Sequence, residues 1–225
     1  MKVLFVLTSH DQLGDTGNKT GFWIEEFAAP YYYLLDKGVE ITVATPKGGE
    51  APIDPSSEGE GAQTEDTKRY YNDDETQKVI KNTHKLAEQD AKDFDALFYP
   101  GGHGPLWDLA EDENSRAIIE AFNDDHKPMG FVCHAPAVLK NVKSENGEAL
   151  VKNKKVTGFT NSEEEAVQLT DVVPFLVEDM LKENGGNYSK ANDWETYVLQ
   201  DKNLITGQNP ASSAKAAEKL YQMLN

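Results

Sequence analysis

The chain predicts a three-layer α/β sandwich on a mostly parallel sheet, and three observations point there. Short apolar runs alternate with segments of helical periodicity along all 225 residues. Connections between them are mostly too short for anything but crossover units. Polar clusters containing histidine, glycine or cysteine stand where apolar runs stop, and open α/β sheets carry ligands at the carboxyl ends of their strands.

Taken in order, Lys2 to Leu7 is an apolar run ending in Thr-Ser-His-Asp, a buried strand followed by a loop, and Gly-Asp-Thr-Gly marks a turn. From Thr20, the residues Phe22, Trp23, Phe27, Tyr31, Leu34 and Leu35 recur at helical spacing until Gly38, and Val39 to Ala44 forms the next strand. Residues 46–75 are rich in Pro, Gly, Ser and acids without periodicity, which predicts a long surface excursion. A polar helix over Thr76 to Glu88 leads to the strand Asp95 to Pro100, stopped by Gly101-Gly102-His103-Gly104. Glycines there let backbone N–H groups face a ligand. A helix near Asn114 to Asn123 precedes the strand Pro128 to Cys133, and His134 opens a further helix. Beyond lie a strand near Lys155 to Phe159, a helix from Pro174 to Glu183, short strands near Tyr197 and Leu204, and a closing helix from Pro210 to Leu224. With no internal repeat and no shift of composition, residues 1–225 are expected to form one domain.

Composition narrows the partners. Apolar residues make up 38% of the chain, enough for one sizeable core, and the aromatics (nine Phe, nine Tyr, three Trp) fall in periodic segments, which rules out full disorder. The net charge of −17 and the lack of a Lys/Arg cluster argue against nucleic acid or an anionic membrane as partner. No stretch approaches a membrane span, and the N-terminal apolar run turns polar too soon for a signal peptide, so a cytoplasmic location is expected. One cysteine, Cys133, excludes an internal disulfide and a thiolate cluster for zinc.

That cysteine stands between a strand and a helix start, the position of a nucleophile elbow. Free helical N–H groups there lower a thiol's pKa: a thiol at 8.5 is only ~3% ionised at pH 7, and one at about 6 is ~90% ionised. Cys133 is therefore expected to react as a thiolate. His134, adjacent to it, is a candidate general acid/base. His10, His84, His103 and His126 have no partner at metal-ligand spacing, so no metal is expected, and His103 in its glycine loop is the histidine placed to line a pocket. A helical wheel separates Glu25 from Glu26: with Phe22 at 0°, the apolar face centres near ~110°, Glu26 falls at ~40° on its margin and Glu25 at ~300° in water. A half-buried Glu26 would have a raised pKa, suited to giving or taking a proton. Glu163, Glu164 and Glu165 read as the acidic start of a helix.

Five segments, Thr-Gly-Phe-Trp-Ile-Glu-Glu (20–26), Pro-Gly-Gly-His-Gly (100–104), Val-Cys-His-Ala-Pro-Ala (132–137), Val-Thr-Gly-Phe-Thr (156–160) and Gly-Gln-Asn-Pro-Ala-Ser (207–212), together resemble the ThiJ/PfpI superfamily over nearly the whole chain. Within it the chain looks like the heat-shock chaperone branch, whose members are glutathione-independent glyoxalases (glyoxalase III) and are also described as deglycases and holdases. The resemblance implies a flavodoxin-like sandwich of the class I glutamine amidotransferase-like group and a homodimer. It implies Cys133 as nucleophile, His134 as its partner, Glu26 as the acid on the helix after the first strand, and Glu164 as the third acid, flanked by Glu163 and Glu165. It implies an oxyanion pocket from the backbone of Gly101, Gly102 and His134. The metal set of some chaperone members has no counterpart here, and no cofactor is expected.

The activity so implied is conversion of methylglyoxal, a small 2-oxoaldehyde, to lactate through a Cys133 hemithioacetal. An amidotransferase or peptidase of usual layout needs a histidine far downstream of the cysteine, and His134 is the last in the chain; a peptidase using adjacent His134 stays open. So does a stress chaperone or redox sensor whose Cys133 is oxidised to a sulfinate. The loops Ser9 to Gly17 and 46–75 are expected to border the pocket as a lid.

Overall fold

A computed structural model describes residues 1–225. The main sheet is built from β1 (Lys2–Val6), β2 (Glu40–Thr45), β3 (His84–Lys85), β4 (Ala96–Tyr99), β5 (Met129–Val132), β8 (Val198–Asp201) and β9 (Leu204–Gly207), in the order β3-β2-β1-β4-β5-β9-β8. Only β8, at one edge, runs antiparallel, and it pairs with β9 through a tight hairpin. This is the expected mostly parallel, flavodoxin-like α/β fold. The central strands are apolar at nearly every position because both faces are covered. Alternation divides them: Leu4, Val6, Leu97, Tyr99, Met129 and Phe131 enter one core, and Val3, Phe5, Ala96, Phe98, Val132 and Ile205 the other.

The second of these cores is closed by α1 (Ile24–Leu35) and α7 (Ser213–Met223), with Tyr70 of α2 (Glu65–Tyr71) and Ile80 of α3 (Asp74–Lys81) at its side. The opposite core is closed by α4 (Glu113–Asp124), by α6 (Val177–Glu183) and by a 3₁₀ segment over Ala135–Leu139. Gly130 lies on β5 where a Cβ would come 2.7 Å from the Phe98 ring, so this strand accepts the neighbouring aromatic only with glycine.

Four expectations are corrected. The excursion over 46–75 is not structureless: it holds 3₁₀ turns at Pro55–Glu58 and Glu60–Ala62 and then α2, whose Thr64 and Thr67 form a capping box. The segment is anchored by Arg69, which donates both guanidinium arms to Asp36 and lies 4.0 Å over the Tyr32 ring. The polar helix ends at Lys81 instead of Glu88, giving way to the edge strand β3. The strand near Lys155 is only β6 (Lys155–Val156), paired with β7 (Asn187–Tyr188) outside the main sheet. Finally, the helix after Cys133 is a single 3₁₀ segment of five residues.

Candidate active site

Cys133 follows β5 directly and takes φ +59°, the left-handed region, while its N–H donates to Gly207 O of β9 at 3.0 Å. A non-glycine residue held there costs on the order of 1–3 kcal/mol and persists only where its surroundings over-determine it. The turn sets the sulfur over the sheet edge beside three groups, one of them the adjacent His134 and the other two from distant parts of the chain.

The first is Glu26, on the opening turn of α1 and fully buried. The wheel places it on the margin of the apolar face; the glycine loop after β4 closes over that margin and removes it from water. Its Oε2 accepts the Gly101 N–H at 2.7 Å, whereas Oε1 has no hydrogen-bond partner, and the carboxyl lies beside the Cys133 thiol. Burial pushes the carboxyl up to about 8, against the opposing pull of the contacts with Cys133 and Gly101. A Cβ on Gly101 would stand 2.8 Å from Glu26 Oε2 and 2.9 Å from His134 N, so this approach requires glycine.

The second is His134, also buried. Its Nδ1 lies 3.3 Å from Cys133 Sγ and its Nε2 2.6 Å from Glu164 Oε2. Burial, with His103 beside it, pulls the imidazole below its ordinary pKa. With Nε2–H donated to a carboxylate, Nδ1 presents its lone pair to the thiol.

Glu164 is supplied by α5 (Asn161–Ala166). Of three consecutive glutamates, it is the one that reaches His134. Glu163 is buried beside it with both oxygens committed: Oε2 accepts Thr160 N–H, and Oε1 accepts from Trp194 N, Gln208 and Asn209. Glu165 is exposed. Burial alone would raise Glu164, but the two imidazoles on its oxygens win and hold it well below the usual carboxylate range.

The third group is the glycine loop. The Gly102 N–H approaches the sulfur. Gly101 N–H is spent on Glu26, so the oxyanion role expected of it is corrected: the N–H groups left without a backbone or carboxylate acceptor are those of Gly102 and His134. His103 is likewise engaged through its ring. Its Nε2 lies 2.8 Å from Glu164 Oε1, and its ring sits 4.0 Å from that of His134, so one carboxylate carries two histidines. Ligand atoms of His103, His134 and Glu164 fall within 4.8 Å of one another, a spacing that would suit a metal ion. Both carboxylate oxygens are already satisfied by ring nitrogens, so an ion would have to displace two short hydrogen bonds.

The expected thiolate is also corrected. Burial first, and the adjacent Glu26 second, push the Cys133 thiol well above its ordinary value. A five-residue 3₁₀ turn supplies too little dipole to reverse this. The resting pair is thus a thiol beside a protonated carboxyl.

Of the two loops expected to border the site, Ser9 to Gly17 packs against the glycine loop, with the His10 carbonyl 3.0 Å from where a Gly104 Cβ would stand, while Ser9 N–H donates to Asp108 and His10 stacks on Trp107. The excursion does contribute. Gly61, Ala62 and Thr64 line a cavity of about 310 Å³ with Trp23, Glu25, Trp194 and Asn209. Glu25, expected in water, is half-buried because the start of α2 covers it, and its Oε2 accepts the Thr64 hydroxyl. Sequence reasoning missed Phe159, whose ring lies 4.2 Å from His134, and Trp194 beyond it. The Thr160-x-x-Glu163 capping box was a legible signal for the start of α5.

The family model described as DJ-1/PfpI family matches residues 19–223. Glyoxalase 3 of Candida albicans is 30% identical over 97% of this chain and 96% of its own length. The glutathione-independent glyoxalase HSP31 of Saccharomyces cerevisiae is 27% identical over 99% and 98%. Among solved structures, Rapid Encystment Protein 24 kDa of Francisella tularensis superposes with a TM-score of 0.95 at 40% identity, covering 100% of this chain and 99% of that one. Glyoxalase III from C. albicans superposes with a TM-score of 0.91 at 29% identity, covering 99% and 96%.

Proposed function

The chain belongs to the DJ-1/PfpI family, and on that premise we propose that it is a glutathione-independent glyoxalase of the glyoxalase III type, turning methylglyoxal into lactate with Cys133 as nucleophile. One observation carries the reading. A buried cysteine on a left-handed turn has an acid with a free oxygen on one side and a carboxylate-oriented imidazole on the other.

The steps follow from the protonation states. His134 Nδ1 takes the thiol proton as sulfur bonds to the aldehyde carbon C1, and the protonated Glu26 gives its proton to the aldehyde oxygen, leaving a hemithioacetal, a Glu26 carboxylate and an imidazolium. A carboxyl near 8 in the free site is thus an acid for the first step. Once ionised, in a setting that disfavours its charge, it is a base for the second. Glu26 removes the C1 hydrogen to give an enediolate and returns a proton to C2. The C2 oxygen takes the proton from His134, and the C1 hydroxyl passes its own to the Glu26 carboxylate as the thioester forms, restoring the protonated acid. Water, deprotonated by His134, then cleaves the thioester to lactate and the free thiol.

Glu164 fixes the His134 tautomer and stabilises the imidazolium, and His103 holds the other Glu164 oxygen. The Gly102 N–H faces the developing oxyanion, a contribution of about 3 kcal/mol for a well-aimed donor. We further place the protein in the cytoplasm, where a reducing milieu keeps Cys133 free, as a homodimer. No helix is long and apolar enough to cross a membrane. The decisive test is lactate formation from methylglyoxal without glutathione: wild type should produce it and Cys133→Ala should not, and equal rates would overturn the reading.

A further inference from the structure

Trp194 is an unusual residue twice over. It is a bulky side chain at φ +65°, and it leaves 49% of its surface in water. Its conformation is enforced from inside: the fully buried Glu163 accepts the Trp194 N–H at 2.8 Å and ties the same oxygen to Gln208 and Asn209. The indole meets Phe159 edge-on at 5.9 Å, and Phe159 packs on His134. An exposed aromatic, clamped in a strained backbone geometry by Glu163, the residue that precedes Glu164, asks for a ligand to explain it.

The cavity it walls supplies the chemistry. Trp23, Glu25, Thr64 and Pro210 line it together with Trp194. Glu25 is half-buried and holds one hydrogen bond, from the Thr64 hydroxyl; no lysine, arginine or histidine pairs with it, and the charge that bears on it is another acid, Asp66. Burial lifts its carboxyl to about 7, the mark of a charge lacking a counter-ion. Indole faces attract cations through the ring quadrupole, most strongly where water is excluded. A net charge of −17 concentrates cations around the whole molecule.

We propose that the cavity between Trp23 and Trp194, with Glu25 as its anion, is a recognition subsite for a small organic cation, an alkylammonium or guanidinium group. Its volume of about 310 Å³ is at the small end for ligand pockets, which fits one such headgroup. It lies beside the Cys133 centre, separated from His134 by the Phe159 ring. The subsite would let the enzyme distinguish ligands carrying a positive group from neutral ones.

The test uses choline and its uncharged isostere 3,3-dimethylbutan-1-ol, titrated against the full-length protein by ligand-observed NMR at constant ionic strength. Binding is read without turnover, so the result is independent of the glyoxalase reading. Choline should bind saturably and at least about tenfold more tightly than the isostere. Glu25→Gln should erase most of that preference, and Trp194→Ala should weaken choline about fivefold or more, with circular dichroism reporting that both variants fold. Should Trp194→Ala not fold, Glu25→Gln alone decides. Equal binding of the two probes, no binding of either, or a preference unchanged in Glu25→Gln would overturn the proposal and leave an ordinary apolar niche.

Discussion

Replacing Glu26 by Gln should stabilise the protein while abolishing its turnover, and the size of the stabilisation should depend on pH in a calculable way. Gln imitates the protonated carboxyl: its oxygen can accept the Gly101 N–H, and its NH₂ can occupy the place of the unpartnered Oε1. In the wild type the carboxyl stands at about 8 when folded and near its ordinary value of 4.5 when unfolded. The folded state therefore binds its proton more tightly, and stability falls as pH rises from about 4.5 until it levels off above about 8. Linkage puts the cost at about 1 kcal/mol at pH 5, about 3 at pH 7 and about 5 once both states are ionised. Gln carries none of it. The variant's advantage should thus grow by about 2 kcal/mol between pH 5 and pH 7, which for a chain of this size moves the Tm difference by roughly 4–8 °C. Calorimetry of both proteins at a series of pH values reads this directly. kcat should drop by about 10²–10⁴-fold, the usual worth of a lost general acid/base. A Tm gap that stays flat from pH 5 to 8, or a Gln variant that is the less stable at pH 7, would refute a protonated Glu26 in the folded site.

Cys133, as a buried thiol beside an acid, should be alkylated slowly by iodoacetamide at neutral pH, with a midpoint above the ordinary thiol value; a midpoint near 6 would mean that the turn activates the free enzyme after all. Glu164→Gln should leave the fold intact yet lower kcat about 100-fold or more, because an amide can donate to His134 Nε2 and turn the donor tautomer toward the sulfur; steady-state kinetics with a melting curve separates this from unfolding. His103→Gln, which can still donate to Glu164 Oε1, should retain far more activity than His103→Ala, and identical losses would remove its positioning role. Gly21→Ala should fail to fold, since its Cβ would stand 2.0 Å from Pro52 O, and a soluble, stable variant by circular dichroism would contradict the packing of the excursion against the site.

Much of this was legible because the fold's grammar is local. Apolar runs of strand length and aromatics at helical spacing located β1, α1, β2, β4 and β5 within a few residues, and the stops at Gly101 and Cys133 marked the sheet edge where chemistry gathers. What stayed hidden was set by contacts distant in sequence. The segment after Cys133 carries Pro136 and small residues that suit a helix start equally well, and only packing under α6 makes it a short 3₁₀ turn. Nothing near residue 103 in sequence says that its imidazole will share a carboxylate 61 positions away with His134.

The adjacent pair Glu25 and Glu26 shows how far a wheel can reach. It separates the two faces of α1 correctly, because the angle between successive residues is a property of the helix alone. It has no knowledge of what the excursion lays on the polar side. Thr64, the cap of α2, caps its own helix with the hydroxyl that also donates to Glu25, so the element that hides Glu25 from water is the one whose aperiodic approach gave no sign of a helix. The consequence is two neighbouring carboxyls with raised pKa and opposite outlooks: Glu26 faces the sulfur from within the core, and Glu25 faces an aromatic cavity open to solvent. A single helical turn thereby carries both the carboxyl proposed for proton transfer and the one proposed for recognition. Glu25→Gln and Glu26→Gln should for that reason separate cleanly, the first altering which ligands bind while turnover of methylglyoxal persists, the second removing turnover.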